Sequence, residues 1–281
     1  MRRKSIIGRI IYHLLVIALG IIMIYPLLWM ISSSFKESGK IFSTAGELIP
    51  REPTIQNYIN GWQGFSHTTF TTFYANTIYV VIISTIGSIV SSVIVAFGLS
   101  RLHFRGRNLL FILVLLTMMI PSQILMIPQY LWYNQLGWVN TVLPLTVEFF
   151  FATQGFFVYL LMNFMGGIPK DLDEAAKIDG CSYYGIFARI VLPLSTPAIA
   201  TVGIFSFINR WNDYMQPLLY LKRTNRYTVS LALKLFSDST GTSDYGAMFA
   251  MATVSLIPIF IIFAFMQRYL TEGVATTGLK G

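Results

Sequence analysis

Six long apolar segments dominate the pattern of hydrophobic and polar positions along this chain, and shorter polar stretches separate them. The segments lie near residues 11–33, 75–99, 108–130, 141–165, 196–220 and 246–267. A helix of roughly 20 apolar residues crosses a hydrocarbon core of about 30 Å, and each segment reaches that length. The pattern therefore predicts an all-α polytopic membrane protein with six transmembrane helices, in a single domain that covers residues 1–281.

The composition agrees with this class and excludes several functions. The chain is 54% hydrophobic and 11% charged, whereas soluble domains carry roughly 25% charged residues. The net charge of +8 is not accompanied by a basic and aromatic patch outside the loops, so nucleic acid is not an expected partner. Cys181 is the single cysteine, and His13, His67 and His103 are far apart, so the sequence predicts no internal disulfide and no metal site.

Lysines and arginines are unevenly divided between the two sides that this topology creates. Twelve fall on the side of the two termini and of the loop at 166–195, and seven fall on the other side. The positive-inside rule therefore predicts that both termini and this loop are cytoplasmic. The first segment, preceded by Arg2, Arg3 and Lys4, is too long for a cleaved signal peptide and is expected to be an anchor. The opposite loops, about 36–72 and 221–245, are long and polar enough to contact an external partner.

The loop at 166–195 has the form of two short capped helices joined by a glycine. Asp171 is predicted to cap the first helix, with Glu174 completing a capping box. Gly180 supplies the left-handed residue that ends this helix, and Ser182 caps the second one. Pro193 is predicted to end the second helix. The apolar stripe of the second helix consists of Tyr183, Ile186, Phe187 and Ile190.

The same loop carries a specific motif: E-A-A, three residues, Gly, nine residues, I-x-L-P. It resembles the coupling loop of permease subunits of ATP-binding-cassette (ABC) importers. The matching positions are Glu174, Ala175, Ala176, Gly180, Ile190, Leu192 and Pro193. Further stretches look like the same group, namely 119–141, 207–221, 244–263 and the Gly-rich tail at 276–281. The chain thus resembles the smaller permease subunit of a maltose-type, binding-protein-dependent sugar importer.

This resemblance implies a division of labour between subunits. The permease would carry the solute path and hydrolyse nothing, in agreement with the absence of a G-x-x-x-x-G-K-[ST] phosphate loop from the sequence. It would bind no cofactor, and ATP and Mg would be held by two ATPase subunits docked on the coupling loop. A second homologous permease, an extracytoplasmic solute-binding protein and a carbohydrate solute are the other implied partners, in the membrane of a prokaryotic cell. The docking residues would be Leu172, Glu174, Ala175, Ala176, Asp179, Gly180, Ile190 and Pro193.

On the first helix of the coupling loop, residues 166–195, the side chains of Leu172, Ala175 and Ala176 share a face. The small alanines would let an ATPase subunit approach this face closely. The tail at 270–281 contains little apolar surface, so it is either a frayed end or, as the resemblance implies, a segment that reaches the ATPase dimer.

A polar group inside the fourth and fifth segments marks the expected solute path. An ionised residue at mid-membrane costs about 2.5–3.5 kcal/mol and should face a cavity or a partner. Arg210 is therefore predicted to pair with Asp213 or Glu148, either beside the path or as a static bond between helices. Aromatic side chains near this group could stack on a sugar. The full set of expected path residues is Glu148, Arg210, Trp211, Asn212, Asp213, Tyr214, Gln216 and Tyr245.

Several alternatives remain at this level. Arg210 departs from the family pattern, which leaves open another polar solute, such as a charged glycan or a glycerol phosphate. A secondary transporter would show inverted repeats and ion-coordinating groups at broken helices, and neither is apparent in the sequence. A membrane enzyme would need a catalytic constellation, yet no His or Cys stands near Glu148 or Asp213. A channel would not explain the capped cytoplasmic helices.

Overall fold

The structure, a computed structural model, describes residues 6–237 and 243–278, with side-chain surroundings for residues 8–237 and 243–267. Helices form nearly all of this part of the chain, and no β-strand occurs in it. The predicted all-α class is confirmed. The α-helices are α1 (Ile6–Ser34), α2 (Gln56–Gln63), α3 (Phe70–Arg101), α4 (Arg107–Met119), α5 (Ser122–Gln135), α6 (Leu143–Thr146), α7 (Gly155–Gly167), α8 (Asp171–Ile178), α9 (Tyr183–Ile186), α10 (Leu192–Leu194), α11 (Thr196–Trp211), α12 (Met215–Tyr220), α13 (Val229–Leu235) and α14 (Tyr245–Gly278).

Four helical stretches in the described residues are long and apolar enough to cross a membrane. They are Gly8–Ser34, Phe70–Arg101, Leu143–Gly167 and Tyr245–Gln267. Two bent helix pairs raise the number to six if each pair is one span: Arg107–Met119 with Ser122–Gln135, bent by 99°, and Tyr183–Leu194 with Thr196–Trp211, bent by 72°. The first bend falls at Ile120, which is extended because a following proline disfavours helical geometry in the residue before it.

Two of the predicted spans are therefore not the continuous helices that their apolar pattern suggested. The segment near 108–130 breaks before Pro121, and the segment near 196–220 breaks after Trp211, where α11 ends. Helix α12 resumes at Met215. The fourth segment also changes form, because a 3₁₀ turn at Val147–Phe151 separates α6 from α7. Hydrophobicity measures the length of a span but does not report such breaks.

The chain forms two compact units. One consists of Met1–Thr71 and Ala232–Ile257, and the other of Thr72–Leu231 and Pro258–Gly281. In the first unit, α1 is followed by a polar loop that Lys36 holds in place, since its buried ammonium donates to Thr44 O at 2.8 Å and to Glu47 O at 2.6 Å.

The second unit contains a core in which α3, α7, α11 and the coupling loop meet. Its buried residues are Val93, Ala96, Phe97, Phe157, Leu161, Met165, Ile186, Val191, Ala198 and Val202. Two of these, Ile186 and Val191, belong to the coupling loop. The loop is therefore packed onto the helix ends through apolar contacts.

Helix α3 makes unusually close contact with the 3₁₀ turn. Ser84 and Ser91 donate hydrogen bonds to the carbonyls of Leu145 and Phe149, both at 2.8 Å. Between them, Gly87 leaves so little room that an ideal Cβ would lie 2.7 Å from the ring of Phe150 and 3.2 Å from the backbone of Phe149. Small residues allow such approach between helices in membranes, where packing replaces the hydrophobic effect as the driving force.

The close approach at Gly87 gives a stability prediction. Gly87→Val should overpack this contact and destabilise the protein by about 1–3 kcal/mol. Gly98→Val is the matched control, because it lies in the same helix and an ideal Cβ there meets nothing within 4 Å. Thermal unfolding in detergent measures both. Equal loss of stability in the two variants would contradict the assignment.

Candidate functional site

Helix α8 of the coupling loop begins differently from the prediction. Asp171 is its first residue and Lys170 occupies the capping position, without a side-chain cap. The amides of Asp173 and Glu174 bond instead to the carbonyl of Lys170, at 2.9 and 3.1 Å. The predicted capping box of Asp171 and Glu174 is therefore wrong. The backbone carbonyl of Lys170 accepts these hydrogen bonds, and the side chain of Asp171 does not. The three acidic residues of the first turn still face the positive end of the helix dipole.

The end of α8 is formed as predicted. Gly180 has φ of +80°, the left-handed conformation that glycine adopts at little cost. The amide of Cys181 donates to Ala176 O at 2.8 Å and that of Gly180 to Lys177 O at 3.0 Å. These two bonds make a Schellman motif, with Asp179 as the last cap residue. The turn fixes the direction in which the chain leaves α8.

The second helix of the loop follows the prediction at its start and departs from it further on. Ser182 caps α9 by accepting from the amide of Gly185 at 3.3 Å, as expected. A π turn at Phe187–Val191 then adds one residue to the helical repeat. For this reason Val191 is fully buried, whereas the predicted Ile190 is only half-buried.

The predicted end at Pro193 is wrong. The helix continues through α10 to Leu194 and bends at Ser195, because proline is tolerated in the first turn of the new helical segment.

The outer face of α8 is smaller than the predicted docking face. Leu172, Glu174 and Ala175 are exposed, and so is Ile178, which is 87% exposed. Ala176, by contrast, is half-buried and packs against the core of its own unit. The expectation that Ala176 shares the outward face with Leu172 and Ala175 is therefore corrected.

Arg101 attaches α8 to two other helices. Its Nη1 lies 3.1 Å from Asp173 Oδ2, and its Nη2 donates to Met165 O at 2.6 Å and to Ile168 O at 2.8 Å. The two side chains are 3% and 13% exposed. Arg101 thus joins the end of α3 to the end of α7 and to the first turn of α8. Sequence reasoning treated Arg101 as a charge that sets topology and missed this role, since nothing in the pattern links residues so far apart.

Four of the predicted path residues form a connected polar cluster: Glu148, Arg210, Asp213 and Gln216. Arg210 Nη1 lies 3.1 Å from Asp213 Oδ2 and donates to Gln216 Oε1 at 2.8 Å. Gln216 Nε2 in turn donates to Glu148 Oε1 at 3.1 Å. The predicted carboxylate partner of Arg210 is therefore Asp213, and Glu148 is reached through the amide of Gln216.

The surroundings of this polar cluster restrict the arginine. The guanidinium lies over the ring of Phe149, 4.6 Å from its centroid, and the side chains of Arg210 and Asp213 are 16% and 15% exposed. Tyr133 donates a long hydrogen bond of 3.4 Å to Glu148 Oε2. One guanidinium is thus held among two carboxyl groups, an amide and an aromatic face, and its positive charge is largely compensated.

The other expected path residues lie elsewhere. Trp211 is 3% exposed and packs on Phe207 and Tyr74, with ring centroids 5.6 and 5.7 Å away, so neighbouring aromatic side chains cover its ring. Asn212 is exposed and donates to Ile208 O at 3.0 Å. Tyr214 is half-buried beside the cluster that contains Tyr133 and Tyr220.

Tyr245 belongs to the other unit, where its ring meets that of Phe42 at 5.1 Å.

An aromatic group beside Glu148 escaped the sequence analysis. Tyr133 lies 5.6 Å from Trp138, 5.7 Å from Trp132 and 5.4 Å from Tyr220, measured between ring centroids. Trp132 is 59% exposed. The sequence does contain four aromatic residues within 130–138. Aromatic residues that line the membrane–water interface give the same pattern, so the group could not be recognised from it.

The polar loop of the first unit offers a second candidate surface. A cavity of about 570 Å³ is lined by Glu37, Ser38, Glu52, Pro53, Thr54, Gln56, Asn57, Asn60, Ser243 and Asp244. Nearby, the hydrogen bond to Glu37, followed by that to Glu52, raises the pKa of Lys40 above its usual value. No group of three or more His, Cys, Asp or Glu in the described residues could hold a metal ion.

The predicted tail at 270–281 is described only as backbone, helical to Gly278, and residues 279–281 lie outside the described residues.

Residues 88–276 match the family of binding-protein-dependent transport system inner membrane components. The chain belongs to this family. The resemblance inferred from the coupling motif is thereby confirmed, and the chain is a multi-pass membrane protein.

Relatives of this inner membrane component cover nearly its whole length. The probable ABC transporter permease protein YurM of Bacillus subtilis is 33% identical over 281 residues, which is 100% of this chain and 91% of the relative. The arabinooligosaccharides transport system permease protein AraQ of Halalkalibacterium halodurans is 32% identical over 94% of this chain and 93% of its own. The trehalose/maltose transport system permease protein MalG of Thermococcus litoralis is 31% identical over 99% of both chains.

A solved structure shares the fold of this inner membrane component. A chain of a bacterial ABC transporter involved in the import of the acidic polysaccharide alginate superposes with a TM-score of 0.83. The match covers 96% of this chain and 99% of that chain, at 24% identity.

The Schellman turn of the coupling loop can be tested by hydrogen exchange. Gly180→Ala should cost about 1–2 kcal/mol, because a side chain resists positive φ, and should speed exchange at the amide of Cys181 roughly 5–30-fold. Gly166→Ala is the matched control, since this glycine has open space around it and no positive φ. Unchanged exchange in Gly180→Ala would show that the turn does not depend on glycine.

Proposed function

We propose that this chain is the permease subunit of an ABC importer that moves a sugar or oligosaccharide into a prokaryotic cell across its cell membrane. Two separate ATPase subunits would bind ATP and Mg and hydrolyse the ATP. The observation that carries the proposal is the nearly full-length similarity, near 30% identity, to permeases named for arabinooligosaccharide, diacetylchitobiose, galactooligosaccharide and trehalose or maltose transport. The chain itself is proposed to be a transport subunit and not an enzyme.

The coupling loop is proposed to bind an ATPase subunit on the cytoplasmic side, where the positive-inside rule also places both termini. The exposed face of α8 supports this, because Leu172 and Ile178 leave apolar surface uncovered while Glu174 adds charge. Ala175 permits close approach, and Asp179 and Gly180 set the direction of the turn. Ala176 and Ile190, which are half-buried, would support the docking surface from beneath. Pro193 would support it from the start of the next helical segment.

The polar cluster is proposed to lie beside the solute path. Non-helical backbone at membrane depth is tolerated only where protein buries it or where it lines a water-filled cavity. The chain leaves helical geometry between α11 and α12, next to Arg210 and Asp213, and again at Ala152–Gln154, four residues after Glu148. Ala152 there has φ of +52°, which is uncommon for a residue with a side chain. Exposed Trp132 supplies a ring on which a sugar could stack.

A charged glycan is less well supported than a neutral sugar. To bind a carboxylate or phosphate, Arg210 would have to share a guanidinium that already has a carboxylate partner. Its Nη1 is already shared between Asp213 and Gln216, and its face lies on Phe149. Glu148 adds a second carboxyl group that would repel an anion. The residue that departs from the family pattern therefore gives no support for an anionic solute.

External partners complete the proposed assembly. The loop at 36–72 supplies most of the lining of the cavity of about 570 Å³ and is proposed to contact the solute-binding protein outside the cell. A second, homologous permease would form the other half of the path, and the remaining apolar surface would face lipid.

The function can be tested by reconstituting the chain with its partner subunits and binding protein in liposomes. We expect uptake and ATP hydrolysis to rise with a neutral oligosaccharide from a solute panel, and to depend on the binding protein. Omitting the binding protein is the control. Stimulation only by an amino acid or a metal ion would contradict the sugar assignment, and stimulation only by an acidic glycan would contradict the preference for a neutral solute.

The path assignment can be tested with Gln216→Leu. This variant should disconnect Glu148 from Arg210 and lower uptake roughly tenfold, because hydrogen bonds to charged groups contribute about 1.5–3 kcal/mol. Assembly with the ATPase subunits should remain intact. Gln135→Leu, at an exposed position in the last turn of α5, is the matched control. Normal uptake with unchanged solute preference in Gln216→Leu would reject a path role for the polar cluster.

A further inference from the structure

Helix α3 is bonded at its end to the coupling loop. Arg101 is its last residue, and the guanidinium contacts Asp173 in α8 as well as the carbonyls of Met165 and Ile168. Both side chains are nearly excluded from solvent, so this ion pair is screened far less than a surface pair. A displacement of α8 must therefore either move the end of α3 or break a buried charge pair.

Further along, the same helix is bonded to the segment that carries Glu148. Ser84 and Ser91 hold the carbonyls of Leu145 and Phe149, which lie on either side of Glu148. The close approach at Gly87 leaves Phe149 and Phe150 little freedom to slide along the helix. From Ser91 to Arg101 the helix rises about 15 Å without a proline. Helix α3 thus contacts both the coupling loop and the segment around Glu148, which belongs to the polar cluster.

The two chain segments that leave the coupling loop directly are both interrupted before they reach the polar cluster. Helix α7 leads back to the non-helical residues Ala152–Gln154. In the other direction, the π turn at Phe187–Val191 and the 72° bend at Ser195 separate α8 from α11. Bends of this kind absorb movement, whereas an unbroken helix transmits it.

We infer that α3 is the rigid link that carries movement of the coupling loop to the polar cluster. Arg101 and Asp173 are the positioning residues of the joint between α3 and α8. The inference rests on the proposed importer function. A joint needs two arrangements that differ in free energy between states. The pair has this capacity, because Arg101 Nε and Asp173 Oδ1 are buried without a hydrogen-bond partner among the described residues. A second arrangement could use this donor or this acceptor, because neither is bonded in the present one.

The test measures solute imported per ATP hydrolysed by the complete importer in liposomes. Asp173→Ala cuts the joint to α8 but leaves Arg101 bonded to Met165 and Ile168. We expect the variant to assemble with the ATPase subunits and to hydrolyse ATP, while the ratio falls about fivefold or more. Asp171→Ala, which removes an exposed carboxylate from the same turn, should keep the wild-type ratio. A merely structural pair would lower assembly and leave the ratio of the assembled complex unchanged, which would overturn the inference.

A second variant covers the case in which Asp173→Ala does not assemble. Arg101→Met combined with Asp173→Leu removes both buried charges and keeps apolar volume, a replacement that is often neutral for stability. It should assemble and show the same low ratio. A wild-type ratio in this variant, or failure of both variants to assemble, would overturn the inference. Sugar uptake by the wild-type complex tests the proposed function separately.

A double-variant cycle tests the link itself. Ser91→Ala removes the bond to Phe149 at the far end of the route, and Ser100→Ala, which removes only a local bond to Phe97 O, is its matched control. If both ends act through α3, Ser91→Ala should lower the ratio by itself, and the combination with Asp173→Ala should be no worse than the more severe single variant. Independent losses that multiply would show separate routes and overturn the inference.

Discussion

The constraint on which this structure depends is that backbone polar groups in lipid find no water to bond. A chain with 54% hydrophobic residues can satisfy them only within helices, and the described residues are helical almost throughout. The informative places are then the few where helical geometry stops. Within the apolar segments and their bent pairs, these places are Ile120, residues 152–154, Ser195 and the residues after Trp211. Two of these breaks adjoin the polar cluster and one adjoins the coupling loop, so irregular backbone is concentrated where the proposed function needs it.

Charged side chains that are buried must likewise find partners within the protein. Arg101 and Arg210, with side chains 3% and 16% exposed, each have an aspartate within 3.1 Å. The two arginines differ in what surrounds the pair. Arg101 is further bonded to carbonyls at a helix end, which makes it a connector between elements. Arg210 is further bonded to a side-chain amide that continues to Glu148, which makes it part of the polar cluster.

The coupling loop shows how local geometry and tertiary packing divide the work of one motif. Local chemistry sets its turn, because Gly180 at φ of +80° ends α8 whatever the loop packs against. Tertiary packing decides which side chains of the loop are buried and which are exposed. Ala176, Ile186 and Val191 are turned into the core of their own unit, which leaves Leu172, Glu174 and Ala175 outside. Within the E-A-A motif, Ala176 therefore packs on the chain's own core, whereas Glu174 and Ala175 are exposed and available to the proposed partner.

The sequence by itself determined the class, the family and the two turn residues Gly180 and Ser182. Each of these depends on composition or on neighbours within a few positions, where hydrophobic length and backbone preference decide the outcome. It also predicted a carboxylate partner for Arg210, since Asp213 lies three residues away on the same helix face. It could not find the bond between Arg101 and Asp173, the bridge from Gln216 to Glu148 or the burial of Trp211. It also placed Ile190 where the π turn puts Val191. These depend on which helices meet and in what rotation, and only the tertiary structure decides that, because residues far apart in the chain become neighbours through packing alone.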